Sequence, residues 1–369
     1  MTEKNQREKQ YLYWLTRVHG MGAVKIRKLK EYAGSFERIY NMKEREYETL
    51  TFLSEADRQS LWKQKEELSS RQEEYHKLKE NGIQFIAITD ENYPKRLTHL
   101  YDMPMALFLK GKLPEEDTPS VAIIGARSCS YYGRTEAEYL GRELAKIGIQ
   151  VVSGLAYGVD GAGHKGVLST GGAAYAVLGS GIDNCYPREN WNLYNEIQKN
   201  GGVISEYGPG TQAETWHFPV RNRIISGLSD AIIVVEARKR SGSLITVGQA
   251  LEQGKEVFAL PGRVTDPLSM GCNELIRAGA SPVLSPEDII EFLGIKCEKG
   301  LKLRGKKING LAKNEKKVYS CLDLQPRHIE EVVNQSKLSA AECMTVLLKL
   351  ELDGYVSQTA NQYYVRKLE

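Results

Sequence analysis

Residues 121–128 have the sequence VAIIGARS, a short apolar run that ends directly in a glycine and an arginine. A run of four apolar residues closed by a turn residue is typical of a buried strand. The same pattern recurs downstream, where further apolar runs alternate with amphipathic segments whose apolar residues have helical spacing. These runs lie at residues 150–152, 174–178, 203–205, 231–235, 257–260 and 282–284. Repeated strand–helix units predict an α/β domain, 118–294, whose mainly parallel sheet is covered on both faces.

The flanking regions differ in texture from this central domain. Residues 1–80 have helical apolar spacing at 11–18, 23–32 and 43–79, which predicts a small helical domain. Residues 81–117 form a connecting segment, in which 83–88 and 106–109 are predicted edge strands of the sheet. Beyond the sheet we predict a basic linker, 295–316, and a winged-helix domain, 317–369. The winged helix is indicated by three short helices (317–322, 328–334, 340–352) and a hairpin pairing 355–358 with 362–365.

Composition excludes several functional classes. The chain has 369 residues, of which 41% are hydrophobic and 26% charged, as in ordinary globular proteins. Its six cysteines are isolated, without a CxxC pair, so we expect neither a zinc site nor disulfides. No stretch approaches the roughly 20 apolar residues of a membrane span, and the first residues are polar, so we expect a cytoplasmic protein. The net charge is only +3, but 295–317 contains nine basic and two acidic residues.

Three glycine-bearing loops follow the first three strands of the central domain. They are 125–128 (GARS), 153–158 (SGLAYG) and 179–181 (GSG). The carboxyl ends of parallel strands meet at one edge, where backbone N–H groups and helix N-termini favour a phosphate. GxGxxG and GxxxxGK[ST] are absent, which argues against nicotinamide and P-loop sites. The predicted contacts from these loops are Gly125, Ala126, Arg127, Ser128, Gly154 and Gly179.

Two further clusters indicate a nucleic-acid ligand. Residues 216–223 (WHFPVRNR) combine aromatic rings, arginines and an amide, which stack on bases, neutralise phosphates and bond base edges. Residues 241–243 (SGS) open a predicted helix whose N-terminus favours an anion. The predicted DNA contacts here are Phe218, Arg221, Asn222, Arg223, Ser241 and Ser243. Asp160 and His164 share one helix face, a spacing that allows them to pair. No nucleophile accompanies them, so His164 is interpreted as a structural or phosphate-contacting histidine and no catalytic residue is predicted.

The ordered segments GARS, VVSGLAYGVDGAGH, WHFPVRNRIISGLSDAIIVVEA and SGSLIT resemble the DNA-processing protein A family over 118–294. The resemblance implies an extended Rossmann-like fold that binds single-stranded DNA without cleaving it and needs no cofactor. It also implies strand protection during natural transformation, loading of the RecA recombinase, and a homodimer. By this resemblance, the DNA-binding pocket of the family corresponds in this chain to Gly125, Arg127, Phe218, Arg221 and Arg223.

Thr215 departs from the family pattern. Many relatives have a basic residue at this position, directly before the WHF segment, and here Thr215 follows Glu214. Lys165 and Arg188 are candidate substitutes for the missing charge, although nothing in the sequence places them in the pocket.

The terminal regions resemble modules that family members often carry. Residues 18–23 (VHGMGA) are similar to the glycine turn of a helix-hairpin-helix, whose amides contact phosphate. The predicted recognition helix of the winged helix contains Glu342, Lys349 and Glu351, which suits a protein contact better than a DNA groove.

Two alternative functions remain open from the sequence. One is an enzyme or sensor of free nucleotides, although residues 209–212 (PGTQ) lack the PGGxGTxxE signature of phosphoribohydrolases. The other is an adaptor that works mainly through its terminal domains.

Overall fold

The computed structural model describes residues 3–295 and 311–367, and a nine-stranded sheet forms its centre. Its strands are β1 (Gln84–Ala87), β2 (Ala106–Gly111), β3 (Ser120–Ile124), β4 (Gln150–Ser153), β5 (Ala174–Leu178), β6 (Gly202–Ser205), β7 (Ala231–Val234), β8 (Glu256–Ala259) and β9 (Ser281–Pro282). Their order is β1-β2-β6-β5-β4-β3-β7-β8-β9. The seven strands from β6 to β9 pair in parallel, while β2 is antiparallel to β6 and β1 to β2. The predicted mainly parallel α/β fold is therefore confirmed.

The direction of strand succession reverses at β3. From β3 the chain steps outward through β4, β5 and β6, then returns to lay β7 on the other side of β3. Val121 pairs with Ala231 and Ile124 with Val234 along this central contact. In open α/β sheets a crevice forms at such a reversal, outside the carboxyl ends of the strands. The fold therefore places a crevice between the loops that follow β3 and β7.

Helices cover both faces of the sheet, and successive side chains of a strand point alternately into the two hydrophobic cores. Val121 and Ile123 point into one core and Ala122 and Ile124 into the other, all at most 3% exposed. Such two-sided burial explains why these strands are continuous apolar runs. The covering helices are α7 (Tyr131–Lys146), α8 (Val159–Leu168), α9 (Trp191–Asn200), α10 (His217–Gly227), α11 (Ser243–Glu252), α12 (Met270–Arg277) and α13 (Pro286–Phe292).

The N-terminal region consists of short helices that pack on the sheet. They are α1 (Glu3–Arg17), α2 (Ala23–Ala33), α3 (Phe36–Asn41), α4 (Glu44–Glu48), α5 (Glu55–Lys63) and α6 (Leu68–Glu80). The predicted helical stretch 43–79 is divided because Ser54 caps α5 through reciprocal bonds with Asp57. Trp14 and Leu29 belong to the same core as Phe108 of β2, so these helices and one sheet face share one hydrophobic interior.

The C-terminal described segment has a separate core. It comprises α14 (Lys313–Ser320), β10 (Arg327–His328), α15 (Ile329–Ser336), α16 (Ala340–Leu352), β11 (Val356–Ala360) and β12 (Tyr363–Arg366). The three helices and the β11–β12 hairpin match the predicted winged helix, and Ser339 and Glu342 form a capping box at α16. Within the predicted linker, 295–316, residues 296–310 lie outside the described part of the chain. The linker was predicted to extend to residue 316, but α14 already begins at Lys313. Within the described chain, no helix is both long and apolar enough for a membrane span.

Candidate functional site

A cleft of about 610 Å³ opens at the reversal point, at the carboxyl ends of β3 and β7. It brings together nine of the twelve residues predicted from the sequence. Those nine are Gly125, Ala126, Arg127, Ser128, Phe218, Arg221, Asn222, Ser241 and Ser243. Of the other three, Gly154 and Gly179 lie behind the lining side chains and Arg223 lies elsewhere, as described below.

Glu236 fills the N-terminus of α7, the helix that follows the first glycine loop. Its buried carboxylate accepts hydrogen bonds from the Ser130 N–H at 2.8 Å and the Ser130 hydroxyl at 2.5 Å. The Ala126 N–H donates to the Glu236 carbonyl at 2.7 Å. Burial raises the pKa of the Glu236 carboxyl, against the Ser130 bonds that lower it. This helix N-terminus therefore already holds a carboxyl group of the protein itself, and a phosphate in the cleft must find other donors.

The carboxylate of Asp160 occupies the backbone N–H groups of the second glycine loop. Its Oδ2 accepts from the N–H groups of Gly154 at 3.0 Å and Ala156 at 3.4 Å. The carboxyl is fully buried, and burial raises its pKa although the Arg221 charge opposes the shift. A Cβ on Gly154 would stand 2.7 Å from both Arg221 Nη2 and Asp160 Oδ2. Gly154 is therefore required for the close approach of Arg221 to this loop.

Arg221 links the second and third strand ends from within the protein. It is 4% exposed, and its Nη1 donates to the carbonyls of Gly154, at 3.0 Å, and Val177. Burial, together with the nearby Arg127 charge, lowers the pKa of Arg221 to about 10 against the effect of Asp160. Its guanidinium contributes to the floor of the cleft, and most of its donors are already directed at the protein.

His164 does not form the pair with Asp160 that their spacing on one helix face allows. The ring is fully buried, and neither nitrogen has a hydrogen-bond partner in the described ranges 3–295 and 311–367. Burial lowers the pKa of His164 to about 3, so the ring is neutral at physiological pH. The pairing fails because the Asp160 carboxylate turns back toward the amides of its own loop.

Phe218 is the aromatic side chain at the centre of the cleft wall. A Cβ on Gly179 would lie 2.8 Å from Phe218 Cδ1, so this glycine makes room for the ring. The Arg127 guanidinium carbon lies 5.0 Å from the ring centroid, within cation–π range. The Tyr186 ring also packs against Phe218, at 5.6 Å between centroids. Phe218 therefore positions Arg127 and Tyr186 as well as contributing its own half-buried surface.

Arg223 lies outside the cleft. It is 4% exposed and forms ion pairs of 2.9 Å with Asp102 and with Glu206. It borders a different cavity, of about 740 Å³, between α11 and residues 95–102. Two residues along a helix turn the side chain by about 200°, so Arg221 and Arg223 of α10 cannot face the same ligand.

Arg238 and Arg240 line the cleft, and the sequence interpretation missed both. They are exposed and, like Arg127, have no ion-pair partner among the residues that the structure describes. Lys239 between them instead pairs with Glu274 at 3.0 Å. The basic run ARKR, at 237–240, was a usable signal, because it lies in the loop after β7, the strand that pairs with β3.

These arginines supply the charge that Thr215 lacks. Thr215 lines the cleft and brings no charge to it. Of the two substitutes considered from the sequence, Lys165 pairs with Glu138 on the outside of α8, and Arg188 is not part of the lining. Besides Arg127, the positive charge of the cleft comes from the loop between β7 and α11.

The glycine turn near the N-terminus is faced by a carboxylate. Gly20 has a φ of +82°, and a Cβ there would lie 2.8 Å from Asp57 Oδ1. Lys25 Nζ donates to Asp57 at 2.7 Å and to the Gly20 carbonyl at 3.0 Å. The Lys25 charge is therefore paired with Asp57 beside the turn.

Side chains that could ligate a metal do not cluster in the described part of the chain. No group of three His, Cys, Asp or Glu side chains is arranged to hold a metal ion within residues 3–295 and 311–367. The cleft is lined instead by arginines, hydroxyl groups, an amide and aromatic rings, a donor set for phosphates and bases.

Comparison with known proteins gives family matches over most of the chain. Residues 84–294 match the family model of DNA recombination-mediator protein A, and residues 306–362 match the model of the DprA winged helix domain. DNA processing protein DprA of Streptococcus pneumoniae is 46% identical over 204 residues, covering 55% of this chain and 72% of that protein.

Two solved structures are similar to this one. The X-ray structure of DNA processing protein A from Streptococcus pneumoniae has a TM-score of 0.68 and 36% identity, covering 76% of this chain and 97% of that one. A structure addressing the single-stranded DNA binding mode of DNA processing protein A from Helicobacter pylori has a TM-score of 0.52 and 34% identity. It covers 57% of this chain and 95% of that one.

Proposed function

The chain belongs to the DNA recombination-mediator protein A family, and from this premise we propose that it binds single-stranded DNA in the cleft between the β3 and β7 loops. The support from relatives is the Helicobacter pylori protein, which was studied for its single-stranded DNA binding mode. The support from this chain is the cleft itself, in which arginine charge meets aromatic surface.

One observation carries the proposal. Arg127, Arg238 and Arg240 converge on one cleft from two loops, and none is neutralised by a carboxylate in the described part of the chain. Unpaired guanidinium groups attract phosphates and release counterions when they bind. The N-terminus of α7 already holds Glu236, and Asp160 accepts from the amides of the loop after β4. Phosphate binding would therefore depend on arginine side chains more than on backbone amides.

The remaining cleft residues have assignable roles in this proposal. Ser128, Asn222, Ser241 and Ser243 offer hydroxyl and amide groups to the strand. Gly125, Ala126, Gly154, Gly179 and Arg221 shape the floor that positions Arg127 and Phe218. Arg223 has no part in it, because its charge is neutralised by Asp102 and Glu206.

The wider role that we propose is that of a stoichiometric mediator in the cytoplasm. Bound strands would be protected during DNA uptake in natural transformation and passed to the RecA recombinase, without cleavage. A homodimer would place two clefts on one strand, which raises avidity without any new contact. The mediator role is tested by RecA filament assembly on a strand precoated with a single-strand-binding protein, where cleft variants should fail to accelerate assembly.

The binding proposal is tested by fluorescence anisotropy with a labelled poly-dT oligonucleotide at two salt concentrations, with duplex competitor. Arg127→Ala, Arg238→Ala and Arg240→Ala should each weaken binding. Each should also reduce the slope of log affinity against log salt by about 0.7 for every phosphate that the variant no longer neutralises. Lys239→Ala is the matched control, since it removes the same charge from the same loop but faces Glu274.

Equal affinities for Arg238→Ala, Arg240→Ala and Lys239→Ala would show that the cleft charge is irrelevant. Binding that is insensitive to salt, or no preference for single strands over duplex, would also contradict the proposal. Free nucleotides would then be the next ligands to screen.

A further inference from the structure

Two exposed tyrosines stand at the mouth of the cleft. Tyr186 follows β5, lines the cleft and is 45% exposed, and Tyr157 follows β4 and is 42% exposed. Aromatic rings bury large apolar areas when they find a partner. Both rings therefore offer unused contact surface next to the arginine-lined cleft.

The loops that carry the two tyrosines are tied to each other. Asn190 Nδ2 donates to the carbonyls of Leu155, at 2.9 Å, and Ala156, at 3.1 Å, so it joins the loop after β5 to the loop after β4. Because the loops are already tied together, little backbone conformational entropy is lost when a ligand stacks on their rings.

The arrangement of the rings gives them an order from the cleft outward. Phe218 already contacts the Arg127 guanidinium at 5.0 Å and the Tyr186 ring at 5.6 Å, and it is half-buried. Tyr186 rests on Phe218 and leaves its remaining surface to solvent. Tyr157 lies on the neighbouring loop, directly after Ala156, which lines the cleft and whose carbonyl accepts from Asn190. The first free aromatic surface beside the cleft is therefore Tyr186, followed by Tyr157.

We propose that Tyr186 and Tyr157 form an aromatic track on which unpaired bases stack as the strand leaves the cleft. This inference rests on the proposed strand binding and extends it to the bases. Every base has a π-face, so the track would accept any sequence. In a duplex those faces are covered by neighbouring bases, whereas phosphates are accessible in both forms. The arginines thus supply affinity for the backbone, and the track supplies selectivity for single strands.

The test compares two oligonucleotides of the same length, one of dT and one of abasic nucleotides that keep every phosphate. Anisotropy titrations would use the full chain and the double variant Tyr157→Ala/Tyr186→Ala. The wild type should prefer dT by about fivefold or more, since stacking on one ring is worth at least that factor. The double variant should lose most of this preference, bind the abasic strand like wild type, and keep the same salt slope.

Two further variants serve as controls. Tyr186→Phe keeps the ring and should keep the preference for dT. Tyr32→Ala removes a tyrosine that is 57% exposed on α2, away from the cleft, and should change nothing.

The outcomes separate failure of the track from failure of the strand-binding proposal. A double variant that still prefers dT would overturn the track, and so would one that binds both oligonucleotides equally less well. After either result, the strand-binding proposal stands if Arg238→Ala still weakens binding of both the dT and the abasic oligonucleotide. A wild type that binds neither oligonucleotide would refute the strand-binding proposal and the track with it.

Discussion

At the residue scale, charge neutralisation decides which arginines are available to a ligand. Arg223 is buried between two carboxylates, and Arg221 bonds two backbone carbonyls. Arg238 and Arg240 are exposed in a loop, while the residue between them turns to Glu274. A buried charge must be paired or hydrogen-bonded within the protein. The exposed loop arginines are therefore the ones with free donors.

His164 gives a residue-scale prediction about pH. Its pKa is about 3 in the folded chain against 6.5 in the unfolded chain, so only the unfolded chain takes up a proton on acidification. Its contribution to stability is complete above about pH 6.5 and falls as the pH drops toward 3. Between about pH 7.5 and pH 5.5, the wild type should lose about 1.4 kcal/mol of unfolding free energy through this group.

Urea unfolding of wild type and His164→Gln at both pH values measures this contribution. Between the two pH values, the unfolding free energy of His164→Gln should fall by about 1.4 kcal/mol less than that of the wild type, whatever the absolute stability of the variant. His19→Gln, at an exposed histidine, should keep the wild-type pH dependence. Parallel pH profiles for wild type and His164→Gln would show that the buried ring is not responsible.

At the element scale, the strand-end loops are packed against one another, and glycine makes this packing possible. Gly158 begins the turn into α8 with a φ of +74°, and a Cβ there would overlap the carbonyl oxygens of Ala126 and Arg127. The loop after β4 therefore supports the loop after β3. Arg127 owes its position to a glycine in the next strand-end loop.

Replacing Gly158 tests this dependence between loops. Gly158→Ala should cost well over 2 kcal/mol of unfolding free energy, because backbone must move in addition to the strained φ. Gly148→Ala is the matched control, with a φ of +82° and open space around the new Cβ, and should cost about 1–2 kcal/mol. Urea unfolding measures both, and poly-dT binding should weaken only in Gly158→Ala. Equal costs, or unchanged binding, would contradict the loop contact.

The winged helix shows how far local sequence patterns reach at this scale. Ser339 and Glu342 predict the start of α16, and the structure confirms their capping box. The start of α14 at Lys313 differed from the predicted 317, because Glu315 bonds the Ala312 N–H and begins the helix earlier. A helix start with a Ser cap, as in α16, can be predicted from the sequence. The start of α14 could not be predicted in this way, because its cap residue is Ala312, which has no polar side chain.

At the scale of the whole molecule, the N-terminal helices and the sheet share one interior while the C-terminal segment has its own. Lys9 of α1 and Asp90 after β1 form an ion pair of 2.5 Å, with both side chains 7% exposed. Asp90 also accepts from the Ala87 N–H at 2.9 Å. This pair ties the helical region to the sheet edge inside a dry contact.

Removing Lys9 tests whether these two parts unfold together. Lys9→Met leaves Asp90 buried without its cation and should cost about 3–5 kcal/mol. Lys199→Met breaks the exposed pair with Glu196 and should cost at most about 1 kcal/mol. Circular dichroism and tryptophan fluorescence should report one common transition for helices and sheet. A loss equal to that of the control, or separate transitions for the N-terminal helices and the sheet, would contradict the shared interior.

The amino-acid sequence by itself determined the parallel sheet, the winged helix and the strand ends that form the cleft. These features follow from local periodicity and turn chemistry, which a short window of sequence contains. Only the tertiary structure decided which charges face the cleft. Arg223 is neutralised by carboxylates that lie far along the chain or on another strand end. Glu236 occupies the N-terminus of α7, and Asp160 bonds the amides of the loop after β4. Side-chain direction and charge pairing depend on partners brought together by folding, so no local pattern contains them.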